Sequence, residues 1–224
     1  MTLEQSASNR PPSRTAVFVD RDGVINRERR DYVTRWDDFC FLPGAVEALV
    51  ALTRAGLDVI VITNQSAIHR GIVTAATVDG LHQRMVEVLR RAGGCVLAIY
   101  VCPHTPDEGC ACRKPQPGLL LQAAREHGLD LARCYLIGDK LSDMEAGMAV
   151  GCRCLLVRTG LDAPPADTIV TERYRVFPSI REAVDAILVD AFPVGSERPL
   201  EMAQWRLEAR TVPPAAPPIE PARN

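Results

Sequence analysis

In the stretch VFVDRDGVIN, Val17 to Asn26, an apolar run ends on Asp20, a second acid follows at Asp22, and Gly23 comes next. A buried strand that closes on two carboxylates is unfavourable unless a cation meets them. Two residues apart on extended chain, both side chains can face one side. Other segments carry partners for them: LIGDK brings Asp139 and Lys140, CRKP brings Lys114, and VITN brings Thr63 and Asn64. A hard divalent cation such as Mg²⁺ makes a convergence of Asp20, Asp22 and Asp139 favourable, and the surrounding donors suit a phosphate bridging metal and protein. The economical chemistry for this set is covalent phosphoryl transfer. Asp20 would attack phosphorus and form an aspartyl-phosphate. Asp22 would protonate the leaving alkoxide and then activate the water that hydrolyses the intermediate. Thr63, Lys114 and the metal would stabilise the charge on the transferring group.

Such a site needs elements that deliver its residues to one edge. The stretches AVFVD, DVIVITN, VLAIYVC, CYLIGD and CRCLLVRTG are nearly continuous apolar runs, the pattern of parallel strands covered on both faces. Helical patterns lie between them. PGAVEALVALTRAG places Val46, Leu49 and Val50 on one face and stops at Gly56. TAATVDGLHQRMVEVLRRAGG offers Thr74 as a cap and a stripe of Val78, Leu81, Met85, Val88 and Leu89. PGLLLQAAREHG and SDMEAGMAVG are shorter, ending at Gly128 and Gly151. Strands alternating with helices predict a doubly wound α/β fold, a mostly parallel sheet with helices on both faces. Ligands in such sheets bind beyond the carboxyl ends of the strands, where Asp20, Thr63, Asn64, Asp139 and Lys140 fall.

The chain has 224 residues, 47% hydrophobic and 24% charged, enough for one full-size domain. A formal charge of −2 gives no broad basic field for nucleic acid, and no apolar run approaches a membrane span. Residues 1–14 lack the order of a secretion signal and read as a disordered lead-in. Residues 15–189 form the predicted domain, and 190–224 read as a largely disordered tail. Of 17 prolines, ten fall between Pro164 and Pro221. RPLEMAQWRLEAR is the one helical pattern in that tail. The expected compartment is the cytoplasm and the expected state a monomer.

The eight cysteines are expected as thiols or metal ligands. CPHTPDEGCAC spaces Cys102, His104, Cys110 and Cys112 as two pairs five residues apart, and three thiolates with one imidazole make a closed tetrahedral zinc set. Free thiols with an ordinary loop histidine are the alternative. Cys40, Cys95, Cys134, Cys152 and Cys154 are read as packing residues, and His82 and His127 as surface positions on helices. The basic run Arg27 to Arg30 is compatible with a solvated loop and with attraction of a second phosphate.

DRDG, TNQS, CRKP and GDKLSD, in this order, resemble the four motifs of the haloacid dehalogenase superfamily of phosphatases. The longer strings FLPGAVEAL, VITNQSAIHRG, CPHTPDEGCACRKPQPG and LIGDKLSDMEAG are similar to the D-glycero-D-manno-heptose 1,7-bisphosphate 7-phosphatases and to the neighbouring histidinol-phosphate phosphatases. The match covers about 16–160. It implies a Rossmann-like haloacid dehalogenase fold with a minimal cap and a short zinc-binding loop. It also implies Asp20 as nucleophile, Asp22 as acid/base, and Mg²⁺ on Asp20, the Asp22 main-chain carbonyl and Asp139. Thr63 and Lys114 would hold the phosphoryl group, Arg113 would recognise the sugar, Lys140 would bind near the phosphate, and Asn64, Gln65 and Ser66 would line the substrate pocket. The zinc would be structural, bracing the loop that delivers Arg113 and Lys114. The resemblance implies that the segment after Asn26 contacts substrate too, although RERRDYV departs from the GYV of many heptose enzymes, Asp31 standing before Tyr32, and no individual role is carried over onto 28–32. The expected substrate is a phosphosugar, with heptose 1,7-bisphosphate first and histidinol phosphate second. A zinc-braced module that only binds phosphosugars is the alternative of another class.

Overall fold

The computed structural model describes residues 15–162 and 173–192. The lead-in 1–14 and nearly all of the tail 190–224, with its helical pattern, lie outside the described residues. Six strands form one sheet: β1 (Ala16–Val19), β2 (Asp58–Asn64), β3 (Ala98–Cys102), β4 (Tyr135–Gly138), β5 (Arg153–Val157) and β6 (Arg175–Phe177). Five helices join or follow them: α1 (Ala45–Arg54), α2 (Ala75–Arg91), α3 (Gly118–His127), α4 (Leu141–Ala149) and α5 (Ile180–Ala191). The strand order is β3-β2-β1-β4-β5-β6, with every adjacent pair parallel. The three-residue β6 carries no long apolar run, which is why the sequence pattern did not reveal it.

Strand alternation sorts the core into two layers. Val17, Val19, Val59, Val61, Tyr135, Ile137, Leu155 and Val157 pack against α1, α2 and α5. Ala16, Phe18, Ile60, Ile62, Tyr100, Leu136, Cys154 and Leu156 pack against α3 and α4 on the other face. β1 to β5 are covered on both sides, so each of these reads as a nearly continuous apolar run. Local signals set the helix ends: Thr74 accepts a hydrogen bond from the Thr77 N–H at 3.0 Å to start α2, and Gly128, with φ of 65°, stops α3.

β1 pairs with β2 on one side and β4 on the other, so the chain reverses its winding direction between β1 and β4. A crevice opens beyond the carboxyl ends of the strands at such a point. Between β1 and α1 the chain adds only one short 3-10 turn, Trp36–Asp38, in keeping with a minimal cap. Among the described residues, no helix is long and apolar enough to cross a membrane.

Some expectations are corrected. Cys40 and Cys95 are exposed, whereas Cys134, Cys152 and Cys154 are buried as predicted. His82 is buried at 5% exposure: it lies one turn after Val78 and one before Met85, at the margin of the stripe that α2 turns inward. His127 is half-buried, its Nε2 3.0 Å from the Tyr100 hydroxyl.

Candidate active site

Asp20 follows β1 directly, and its N–H donates to the Ile137 carbonyl of β4 at 2.9 Å. Asp139 follows β4, so this bond sets the two acids side by side. Asp143 joins them from the first turn of α4, and each of Asp20, Asp139 and Asp143 offers an oxygen within 4.8 Å of the others. Lys114 reaches the same point. Its Nζ lies 2.6 Å from Asp143 Oδ1 and 3.0 Å from Asp20 Oδ1, and donates to the Ile62 carbonyl at 3.0 Å. Two glycines keep the space open: a Cβ on Gly23, whose φ is 84°, or on Gly160 would collide with the Asp139 carboxylate.

This cluster is short of positive charge. Both Asp139 oxygens are buried without a hydrogen-bond partner among the described residues. Burial, with Asp20 and Asp143 adding repulsion, drives Asp139 up to about 9. Burial likewise lifts Asp20 to about 6, against the opposing pull of Lys114. Lys114 is itself buried, but Asp143 and Asp20 outweigh that and raise it above the usual lysine value. Orphaned hard oxygens in a space no larger side chain could occupy fit a small divalent cation, and Mg²⁺ prefers such donors.

Asp22 lies in a different environment. Arg21 Nη2 donates to both of its oxygens at 2.9 and 2.7 Å, Asn26 Nδ2 to Oδ1 at 2.8 Å, and Gln65 Nε2 to Oδ2 at 2.7 Å. Burial disfavours the Asp22 charge, but Arg21 and these hydrogen bonds overcome it and hold the carboxyl below its ordinary value. Gln65 Nε2 also donates to Thr63 Oγ1 at 2.8 Å, which leaves the Thr63 hydroxyl proton for another acceptor. Asp20 and Asp22 thus share a chain segment but differ in role: one faces the uncompensated cluster, the other is met by four donor contacts.

A cavity of about 370 Å³ opens over these groups. Asn64, Gln65, Ser66, Arg113 and Lys140 are among the residues that line it. Both polar atoms of the Asn64 amide, however, engage the main chain of Lys114, Nδ2 donating to its carbonyl at 3.1 Å and Oδ1 accepting its N–H at 3.2 Å. Asn64 therefore aligns the loop that carries Lys114. Arg113 Nη1 donates to the His104 carbonyl at 2.9 Å, fixing the guanidinium against the cysteine loop. Glu28, Arg29 and Tyr32 also line the cavity, although no role had been carried over onto them. Glu28 accepts from Lys140 Nζ at 2.5 Å and from the Leu161 N–H at 2.9 Å, pinning its loop across the site. Arg29 pairs with Asp31 at 2.7 Å, so its charge is partly met, while Arg30 is exposed and does not line the cavity.

Cys102, His104, Cys110 and Cys112 converge as the spacing predicted. Their sulfurs and the His104 Nδ1 lie 3.2 to 3.7 Å apart in the close pairs. Tetrahedral zinc with Zn–S bonds near 2.3 Å places its ligand atoms roughly 3.5 to 3.8 Å from one another. Burial, with the adjacent sulfurs, pushes the Cys102 thiol up to about 12. At Cys110, hydrogen bonds from Cys112 and nearby N–H groups outweigh burial and bring the thiol to about 7. The donor set fits zinc.

Sequence reasoning missed Asp143, Arg21, Glu28 and His82. Asp143 had a signal as the second acid of GDKLSD, one helical turn beyond Asp139. Arg21 had none, because an arginine beside two acids reads as solvated, and Glu28 had only the family's use of the segment after Asn26.

The fold and this constellation define a haloacid dehalogenase-type phosphatase. A HAD-hydrolase-like family model matches residues 111–183. The D-glycero-beta-D-manno-heptose-1,7-bisphosphate 7-phosphatase of Pseudomonas aeruginosa is 39% identical over 176 residues, 79% of this chain and 99% of that protein. The enzyme of the same name from Helicobacter pylori is 44% identical over 152 residues, 66% of this chain and 87% of its own. A crystal structure of D,D-heptose 1,7-bisphosphate phosphatase from Bordetella bronchiseptica, complexed with magnesium and phosphate, superposes with a TM-score of 0.75 at 37% identity. It covers 79% of this chain and 99% of that one. The chain belongs to the haloacid dehalogenase-like phosphatases, hydrolases of phosphate monoesters.

Proposed function

We propose that the protein removes the 7-phosphate of D-glycero-D-manno-heptose 1,7-bisphosphate through an aspartyl-phosphate on Asp20, in the biosynthesis of nucleotide-activated heptose. The observation that carries the chemistry is the placement of Asp20, with Oδ1 held by Lys114 Nζ at 3.0 Å and by the Arg21 N–H at 2.7 Å. Among the described residues Oδ2 has no protein hydrogen bond, so one oxygen is anchored while the other serves as nucleophile. The substrate rests on the relatives, which carry that activity in their names and align over nearly their whole length.

Asp20 attacks the 7-phosphorus and the sugar oxygen departs with a proton from Asp22. The ligand-free site holds Asp22 ionised. The proton is taken up when a dianionic substrate enters and its negative charge favours the neutral acid. Asp22, left as a carboxylate, then activates water for attack on the aspartyl-phosphate. Lys114 and the Thr63 hydroxyl face the charge that develops on the phosphoryl oxygens. Asp20, Asp139 and the Asp22 main-chain carbonyl would hold Mg²⁺, which would supply neutralisation of the charge gathered at phosphorus. Arg113 and Lys140 lie where they can meet the sugar and its second phosphate, and Ser66 completes the wall. Cys102, His104, Cys110 and Cys112 would hold zinc, which would brace the loop that carries Arg113 and Lys114. A zinc–thiolate loop would suit the reducing cytoplasm.

The test is phosphate release from heptose 1,7-bisphosphate set against histidinol phosphate, with magnesium supplied and zinc measured on the same sample. The expected result is turnover of the heptose bisphosphate with clear preference, and its loss in Asp20→Asn. Preference for histidinol phosphate would overturn the substrate. Tight binding without release from any phosphosugar would overturn the reaction and revive a binding module.

A further inference from the structure

Behind the reacting carboxylates lies a buried arginine to which the reaction above gives no step. Arg21 is 1% exposed although it stands between Asp20 and Asp22 in sequence. Its Nη2 holds Asp22 with two prongs, at 2.9 and 2.7 Å. Its Nη1 lies 3.1 Å from His82 Nε2, on a helix 61 residues further along the chain. The guanidinium carbon sits 6.0 Å from the centre of the Phe39 ring, and Nε has no partner among the described residues. A desolvated cation met this sparsely stays in place only if each remaining contact is kept.

The chemistry fixes the direction of the histidine contact. A guanidinium only donates, so His82 Nε2 must accept and the ring proton resides on Nδ1. Burial, followed by the Arg21 charge, pushes the His82 imidazole down to about 4, so it keeps this accepting lone pair at neutral pH. Without the acceptor, two of the three guanidinium nitrogens would be buried and unmet. Asn26 and Gln65 each hold a single Asp22 oxygen, whereas Arg21 is the group that engages both and so fixes the plane of the carboxyl.

We propose that His82 is a positioning residue for the reaction: it aims Arg21, and Arg21 sets the orientation from which Asp22 delivers its proton to the leaving oxygen. This rests on the reading of Asp22 as the proton donor. It assigns a task in the site to a side chain that α2 contributes from outside the four motifs.

The effect should depend on the leaving group. A sugar alkoxide needs the proton as its bond to phosphorus breaks, whereas p-nitrophenolate departs almost unaided. The ratio kcat/KM covers the steps up to that departure, so later hydrolysis of the aspartyl-phosphate does not obscure it. In the full-length enzyme with magnesium, His82→Leu removes the acceptor and His82→Gln restores one. The leucine variant is expected to lose about 10- to 100-fold in kcat/KM on the sugar phosphate, a part of the roughly 10²- to 10⁴-fold that general acid catalysis supplies, and less than about threefold on p-nitrophenyl phosphate. The glutamine variant should recover to within about threefold of wild type on both. Arg21→Lys, which keeps the charge but has no second nitrogen to hold His82 and Asp22 at once, should show the leucine pattern and serves if His82→Leu does not fold. Equal losses on both substrates, or a glutamine variant no better than leucine, would overturn the inference. Asp22→Asn separates the two levels. If it lacks the leaving-group dependence, the proton-donor reading fails; if it shows the dependence and the His82 and Arg21 variants do not, only the positioning pair is refuted.

Discussion

Lys114 is the most heavily connected charge in the site, and its removal gives the sharpest test. Its Nζ meets three acceptors, Asp143 Oδ1 at 2.6 Å, Asp20 Oδ1 at 3.0 Å and the Ile62 carbonyl at 3.0 Å, with the side chain 2% exposed. An ammonium only donates and suits a ring of oxygens, the Ile62 carbonyl accepting its hydrogen bond and the two carboxylates meeting its charge. Lys114→Met keeps most of the stem and deletes the charge, leaving two buried carboxylates without their cation. Breaking a buried pair costs about 3–5 kcal/mol, and protonation of Asp20, already lifted to about 6, places this case near the lower end. In a protein of this size a loss of about 3 kcal/mol lowers Tm by roughly 6–12 °C. Loss of one preorganised donor to the phosphoryl group removes roughly 3–4 kcal/mol from the transition state, about 10²- to 10³-fold in kcat/KM. Lys114→Arg should not rescue, because a planar fork cannot meet three acceptors gathered around one nitrogen. Thermal unfolding and steady-state phosphate release, both with magnesium, provide the measurements. A methionine variant with unchanged Tm and kcat/KM within tenfold of wild type would refute the reasoning.

Two further outcomes follow from the same geometry. His82 has its pKa lowered from 6.5 to about 4 by folding, so the unfolded chain binds the extra proton between these values. The stability gained from keeping the ring neutral is fully present above pH 6.5, and it declines as pH falls toward 4 by about 3 kcal/mol. Denaturant unfolding of wild type against His82→Gln across pH 4 to 7 should show the steeper decline in wild type, and parallel curves would contradict it. Cys112→Ser should lower zinc content from one ion per chain toward none, reduce Tm, and cut kcat/KM at least about tenfold, because Arg113 and Lys114 follow that cysteine directly. Metal analysis with parallel kinetics decides this, and full activity without zinc would remove the proposed bracing role.

Local chemistry carried most of what could be read before the structure. The acids at 20, 22 and 139, the lysine at 114 and the threonine at 63 all follow strand ends or sit in short motifs, and strands of a parallel sheet deliver their carboxyl ends to one edge. The cysteine loop was legible for the same reason, since four ligands within eleven residues can close on one ion whatever the rest of the chain does. Cys40 and Cys95 were misread because a small apolar residue at the end of an element is covered only if another segment happens to cross it.

By itself, then, the sequence determined the α/β class, the two-sided core, the converging cysteine loop and the residues gathered at the strand ends. All of these follow from spacing along a few residues of chain. Tertiary structure alone decided that Asp143 meets Lys114, that Glu28 crosses to Lys140, that Asn64 grips the Lys114 main chain, and that His82 turns inward to Arg21. Each of these joins segments far apart in sequence, and a buried charge is stabilised by whichever partner the packing brings within about 3 Å, which no local pattern encodes.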